Sequence, residues 1–193
     1  MRIGIFVFDD AEELDVVGPF EVLTSWAAYS EQCPEVVLFS ASGAGVRLAK
    51  GMSILPDASA ALAGELDVLV YPGGQGTRAL MRDDAHLTWV RGLRARIGLM
   101  TSVCTGALVY AAAGLLAGRP ATTHWASLDL LATTDPSIRV DPDSRFVDDG
   151  DIITSAGVSA GIDMALHLVA RLEGVDAARA VRRGIQYDPA PPV

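Results

Sequence analysis

The stretch GLMTSVCTGALVYAAAGLLA, residues 98–117, reads in two halves. Residues 98–104 form a short apolar run rich in strand formers, and residues 105–117 form a helical pattern of Ala and Leu. Cys104 sits where the two meet, followed by Thr105 and by Gly106, which lets the turn close. A strand turning sharply into a helix, with a nucleophile at the bend, is the layout of a nucleophile elbow. At a helix start, unpaired N–H groups and the positive dipole end favour thiolate over thiol, so a lowered thiol pKa is expected. The bland alternative is a buried structural cysteine, since free Cys is often core.

The same alternation extends along the chain. RIGIFVF (2–8), VVLFSA (36–41) and LDVLVYPGG (66–74) are further apolar strand candidates. Helical patterns lie between the runs: GPFEVLTSWAAYS with Pro19 at a helix start, and DDAHLTWVRGLRAR. Strands without polar alternation imply burial on both faces. Right-handed crossovers then give an α/β, flavodoxin-like three-layer sandwich with a mostly parallel central sheet. GVRLAKGMSILPD (45–57) reads as an antiparallel hairpin or ribbon, and residues 138–156 as strands around the acidic turn DDGD, both as insertions or edge strands. The tail YDPAPPV is expected to be non-helical.

At 193 residues, half of them hydrophobic and 20% charged, the chain fits one globular domain. The net charge of -9 and the lack of Lys/Arg clusters argue against nucleic acid. The opening apolar run is too short for a signal peptide or a membrane span, so a cytoplasmic protein without a membrane partner is expected. Two cysteines, Cys33 and Cys104, make neither a disulfide framework nor a metal set. Cys33, followed by Pro34 and lacking any partner motif, reads as a passive surface or loop thiol. The three histidines show no ligand spacing, and no metal is expected.

Parallel sheets gather functional groups beyond the carboxyl ends of their strands. Three such ends carry candidates: Asp15 in ELDVVGPFEV, Gly73 and Gly74 in PGGQG, and Cys104 with Thr105. Gly73 and Gly74 can supply two N–H groups to a developing negative charge, or simply make a tight turn. Asp15 can act on a proton or cap the following helix. His124 can reach the crevice or serve structure, His167 reads as a packed or rim residue, and His86 as exposed.

Taken together, IGIFVFDDAEELDVVGPFEVL, VYPGGQGTRALM, TSVCTGALVYAAAGLLAGRPATTHW and TSAGVSAGIDMALHLV resemble the ThiJ/PfpI superfamily over nearly the whole chain. Within it, LDVVGP, TSVCTG, ATTHW and YDPAPP are most similar to isocyanide hydratase. The resemblance implies conversion of an isocyanide, a small-molecule substrate, to an N-substituted formamide, with no metal or cofactor, by a homodimer. It puts the nucleophile on Cys104, the catalytic carboxyl on Asp15 and its neighbouring Thr on Thr105, whose hydroxyl would bond Asp15. The N–H groups of Gly74 and Thr105 would steady developing charge. Gly157 and Val158 would lie beside the pocket.

The superfamily's peptidases carry His directly after the cysteine, where this chain has Thr105, which disfavours proteolysis. Many deglycase, glyoxalase and redox-sensing members use Glu where Asp15 stands. RVDPDSRFVDDGDIITSAGVSAGIDMALHLVARL also resembles the amino-terminal sensor portion of AraC-type regulators, so a ligand or redox sensor is the principal alternative, with glyoxalase-like action on α-oxoaldehydes another.

Overall fold

A seven-stranded sheet forms the middle of the molecule, in a computed structural model that describes residues 1–32 and 34–189. Cys33 and the last four residues of YDPAPPV lie outside the described residues, while Tyr187–Pro189 are irregular. In chain order the elements are β1 (Arg2–Phe6), α1 (Glu13–Tyr29), β2 (Glu35–Ser40), β3 (Val46–Arg47), β4 (Ser53–Ile54), β5 (Ala58–Ser59), β6 (Val68–Tyr71), α2 (Thr77–Leu80), α3 (Asp84–Arg94), β7 (Leu99–Val103), α4 (Gly106–Ala112), β8 (Pro120–Ala121), a 3-10 turn (Trp125–Ser127), α5 (Leu128–Thr134), β9 (Arg139–Val140), β10 (Phe146–Asp148), β11 (Ile152–Ser155), α6 (Ala160–Glu173) and α7 (Val175–Gly184).

The strands lie in the order β10-β11-β7-β6-β1-β2-β5, and every pairing is parallel except β10 with β11. Strands β6, β7 and β11 are buried at every residue, as expected of runs covered on both faces. Burying a side chain such as Leu69, Met100 or Ile153 contributes about 1.5–3 kcal/mol. From β1 the chain crosses through α1 to β2, then returns past β1 to β6 and continues to β7 and β11. Because crossovers are right-handed, this reversal puts α1 on one face and α3 and α4 on the other. Helices α6 and α7 pack against α1, completing the first helical layer. The reversal between β1 and β6 is the point where open α/β sheets leave a crevice.

Three elements differ from the sequence expectation. Pro19 lies inside α1, which starts at Glu13. Proline suits a first turn, but here it removes only the amide that would bind the Asp15 carbonyl, and the packed helix continues through it. The helix expected over 105–117 stops at Ala112, just before Gly114 at φ 78°. Strand β11 is an interior strand bonded to β7 as well as to β10, so β10 and not β11 forms that edge of the sheet, whose other edge is β5. The ribbon of 45–57 is present as the antiparallel pair β3 and β4. Among the described residues no helix is long and apolar enough to cross a membrane.

Candidate active site

Cys104 occupies the bend between β7 and α4 with φ 55°, the left-handed region that a residue with a Cβ seldom adopts. Holding it there costs about 1–3 kcal/mol, so surrounding contacts must enforce it. Its N–H donates to the carbonyls of Ser155 and Ala156, at 3.1 and 3.2 Å, at the end of β11. Its own carbonyl accepts from Thr123 Oγ1 at 2.7 Å. Both neighbours therefore brace the bend, and the residue is 5% exposed.

Backbone N–H groups of Thr105 and Val158, with the Thr105 hydroxyl, face the sulfur and favour its charged form. Val158 is itself left-handed, at φ 52°. The thiol is nevertheless pushed up to about 12, first by burial and then by the charge of Asp15. This corrects the lowered pKa expected from a helix start: removal from water and a nearby carboxylate outweigh three donors.

Asp15 is the third residue of α1 and fully buried. It does not cap the helix; its Oδ2 accepts the Gly73 N–H at 2.9 Å from the end of β6. Oδ1 has no hydrogen-bond partner among the described residues. The thiol approaches without the geometry of a full hydrogen bond, yet it still favours the carboxylate. Burial dominates and, with Glu12 nearby, raises the carboxyl to about 7 against the pull of the Gly73 N–H, the thiol and Lys50. Asp15 and Cys104 thus form a coupled pair that holds one proton above neutral pH.

The glycine pair has a different role from the expected charge-binding turn. The Gly73 N–H is committed to Asp15, and the Gly74 N–H to Thr105 Oγ1 at 2.9 Å. Thr105 Oγ1 also meets Gly74 O at 3.1 Å and Thr77 Oγ1 at 3.1 Å, so no hydrogen bond joins it to Asp15. The reason is distance of approach. A Cβ on Gly73 would stand 2.5 Å from Thr105 N and 2.8 Å from Cys104 Cβ, so only glycine lets the end of β6 lie against the elbow. The N–H groups that face the Cys104 sulfur are those of Thr105 and Val158.

Gly157 is needed for a similar reason, because a Cβ there would stand 2.2 Å from His124 Cδ2. His124 lines the same pocket as Cys104, with its Nδ1 accepting from Ala126 N at 3.2 Å. His86 is half-buried rather than exposed, 2.7 Å from Tyr71 Oη, and burial lowers its pKa. His167 packs at the rim, stacked on Phe146 and 2.7 Å from Asp148.

The pocket over Cys104 has a volume of about 230 Å³ and is walled by Glu12, Gly74, Arg78, His124, Ser127 and Val158, among others. Roomier hollows exist, such as one of about 410 Å³ beside Leu66, Asp67, Leu93 and Ile97, but that one lies at the opposite ends of the strands and holds no nucleophile. Arg78 and Ser127 were not singled out in the sequence. The legible signal was a lone cation shortly after PGGQG, whereas Ser127 arrives only through the 3-10 turn. Among the described residues no cluster of three or more His, Cys, Asp or Glu is placed to hold a metal ion.

The sequence profile of the DJ-1/PfpI family matches residues 1–171. The chain belongs to the DJ-1/PfpI family. Its relatives there include the isonitrile hydratase of Pseudomonas putida, 40% identical over 192 residues that cover 100% of this chain and 81% of the relative. The HTH-type transcriptional regulator CdhR of Pseudomonas aeruginosa is 36% identical over 138 residues, 71% of this chain and 40% of the regulator. A crystal structure of a ThiJ/PfpI family protein from Pseudomonas syringae superposes with a TM-score of 0.88 at 34% identity, covering 100% of this chain and 77% of that one. The DJ-1/PfpI fold is also shared with Drosophila melanogaster DJ-1beta, at a TM-score of 0.84 and 24% identity, covering 97% and 98% of the two chains.

Proposed function

We propose that this DJ-1/PfpI protein hydrates an isocyanide to an N-substituted formamide by covalent catalysis at Cys104. The observation that carries the reading is the buried Asp15–Cys104 pair, with the sulfur facing the N–H groups of Thr105 and Val158. The 40% identity to an isonitrile hydratase over the full chain supports the same chemistry.

A thiol near 12 is a poor nucleophile unless a base removes its proton as it attacks. Asp15, ionised above about 7, is that base. As the sulfur bonds to the terminal carbon of R–NC, Asp15 takes the thiol proton and passes it to that carbon, giving a thioformimidate, R–N=CH–S–Cys104. Water then adds to the C=N carbon and the nitrogen takes up a proton. Collapse of the adduct releases R–NH–CHO and restores the thiol, so the net change is R–NC plus H₂O to the formamide. The Thr105 and Val158 N–H groups hold negative charge on sulfur as the thiolate forms and leaves.

Purified protein mixed with an aryl isocyanide, followed by ultraviolet absorbance and by mass of the formamide, tests the reading directly. A parallel incubation with methylglyoxal, scored for lactate, tests glyoxalase-like action. Absence of turnover on several isocyanides would refute hydration. A sensor reading is favoured by one observation, the 36% identity to a transcriptional regulator, and it predicts ligand binding without turnover. The hydratase reading further entails a homodimer, which a monomer in sedimentation at micromolar concentration would refute.

A further inference from the structure

Arg78 lines the pocket over Cys104, and among the described residues it forms no salt bridge. Its side-chain hydrogen bonds go to two neutral hydroxyls, Nη1 to Thr77 Oγ1 at 3.0 Å and Nη2 to Ser127 Oγ at 3.2 Å. Nε and the second hydrogen on each terminal nitrogen have no protein acceptor among the described residues. The other cation near the pocket, Lys50, is paired with Glu12. Arg78 is also close to the reacting centre, because Thr77 Oγ1 meets Thr105 Oγ1 at 3.1 Å and Thr105 adjoins Cys104.

Ser127 adds a second donor. The residue is 4% exposed and lines the same pocket, and its hydroxyl oxygen accepts from Arg78 while its own O–H donates to no described group. A guanidinium with free N–H groups beside an uncommitted hydroxyl matches the two oxygens of a carboxylate. The net charge of -9 opposes entry of anions, so an anion that enters needs this local feature.

We infer that Arg78, with Ser127, recognises a carboxylate on the substrate, so that the substrate class is a small isocyanide bearing a carboxylate near its reacting carbon. The substrate class rests on the hydratase reading; the anion-binding role of Arg78 does not, and the two are tested separately. Alkylation of Cys104 by iodoacetate and by iodoacetamide, localised to the Cys104 peptide by mass spectrometry, compares an anion with a neutral probe without any turnover. Arg78→Gln should lower the iodoacetate-to-iodoacetamide rate ratio about 10-fold or more, the scale of a lost charge-assisted hydrogen-bonded contact. Arg78→Lys, which keeps the charge but not the planar fork, should fall between the two. In turnover, the ratio of kcat/KM for isocyanoacetate to that for methyl isocyanoacetate should drop by a similar factor in Arg78→Gln.

An unchanged alkylation ratio in both variants, or an equal fall on both probes, overturns the anion site. Isocyanide turnover with no change in alkylation ratio would refute the anion site and keep hydration. A shifted alkylation ratio with neither isocyanide consumed would refute hydration, and with it the substrate class, while keeping Arg78 as an anion-binding residue.

Discussion

Asp15 and Asp151 are the same residue type at opposite ends of the sheet, and the protein treats them in opposite ways. Asp151, beside the start of β11, meets Arg119 at 2.5 Å and also pairs with Arg94, and these cations hold its carboxyl below the usual range. Asp15, beyond the end of β1, has no cation at hydrogen-bond distance among the described residues, accepts one N–H and is raised to about 7. One end of the sheet satisfies its charge; the other keeps a carboxyl undercompensated beside a thiol. A group left this way costs stability and keeps its proton available near neutral pH, the combination general acid–base chemistry needs.

The comparison breaks most severely at the sulfur. Cys104→Ala or Cys104→Ser should lower isocyanide hydration by about 1,000-fold or more, because neither a methyl nor an unactivated hydroxyl replaces the thiol. Residual turnover near wild type in a formamide assay would end the covalent reading.

Asp15→Asn keeps the size of the side chain and removes the titrating proton. It should lower kcat by about 100-fold or more and abolish the rise of kcat/KM with pH through about 7. Thiol labelling against pH should show Cys104 titrating lower than in the wild type, since the carboxylate charge that raises it is gone. Unchanged turnover and unchanged titration would reduce Asp15 to a packing residue. Stability should move the other way. With the folded carboxyl raised from 3.8 to about 7, the penalty for burying its charge is absent at low pH and grows as pH rises between those values. Asp15→Asn should therefore raise the unfolding free energy by about 1 to 3 kcal/mol above pH 7, with the gain vanishing near pH 4 in denaturant titrations.

Gly73→Ala tests whether the tight approach of β6 to the elbow is what builds the pair. The clash with Thr105 N and Cys104 Cβ should cost about 2 to 3 kcal/mol in thermal or denaturant unfolding and reduce kcat through displacement of the thiol. Wild-type stability would show that the chain yields there freely.

The smallest effect belongs to the satisfied end. Asp151→Asn should cost only about 1 kcal/mol, because the pair network is about a third exposed and screened. Its pH dependence has the opposite sign: with the folded pKa depressed, the stabilisation is present above the ordinary Asp range and is lost as pH falls through the depressed folded value. Hydration should be unaffected, and an activity loss comparable with Asp15→Asn would erase the distinction between the two ends.

The alternation of apolar runs and helical patterns was enough to establish the sandwich, because strands covered on both faces must be apolar throughout and the connections allow one handedness. Cys104 was legible as an elbow because a strand, a small polar turn and a helix are adjacent in the chain. The shape of α1 was not, since Pro19 reads locally as a start and only packing carries the helix through it.

The candidates Asp15, Gly73, Gly74, Cys104 and Thr105 could each be named from strand ends and from resemblance, because residue type and position after a strand are local properties of the chain. What each one does could not be read that way. Whether Gly74 N–H meets a substrate or Thr105, whether the thiol is lowered by a helix start or raised by burial, and whether Arg78 faces an acid or an open pocket depend on groups 30 or more residues apart in sequence meeting within hydrogen-bond range. Hydrogen bonds and desolvation act over a few ångströms, so the sequence determined which groups are present and on which strand ends, and the tertiary structure alone decided which of them are satisfied and which are left free to react.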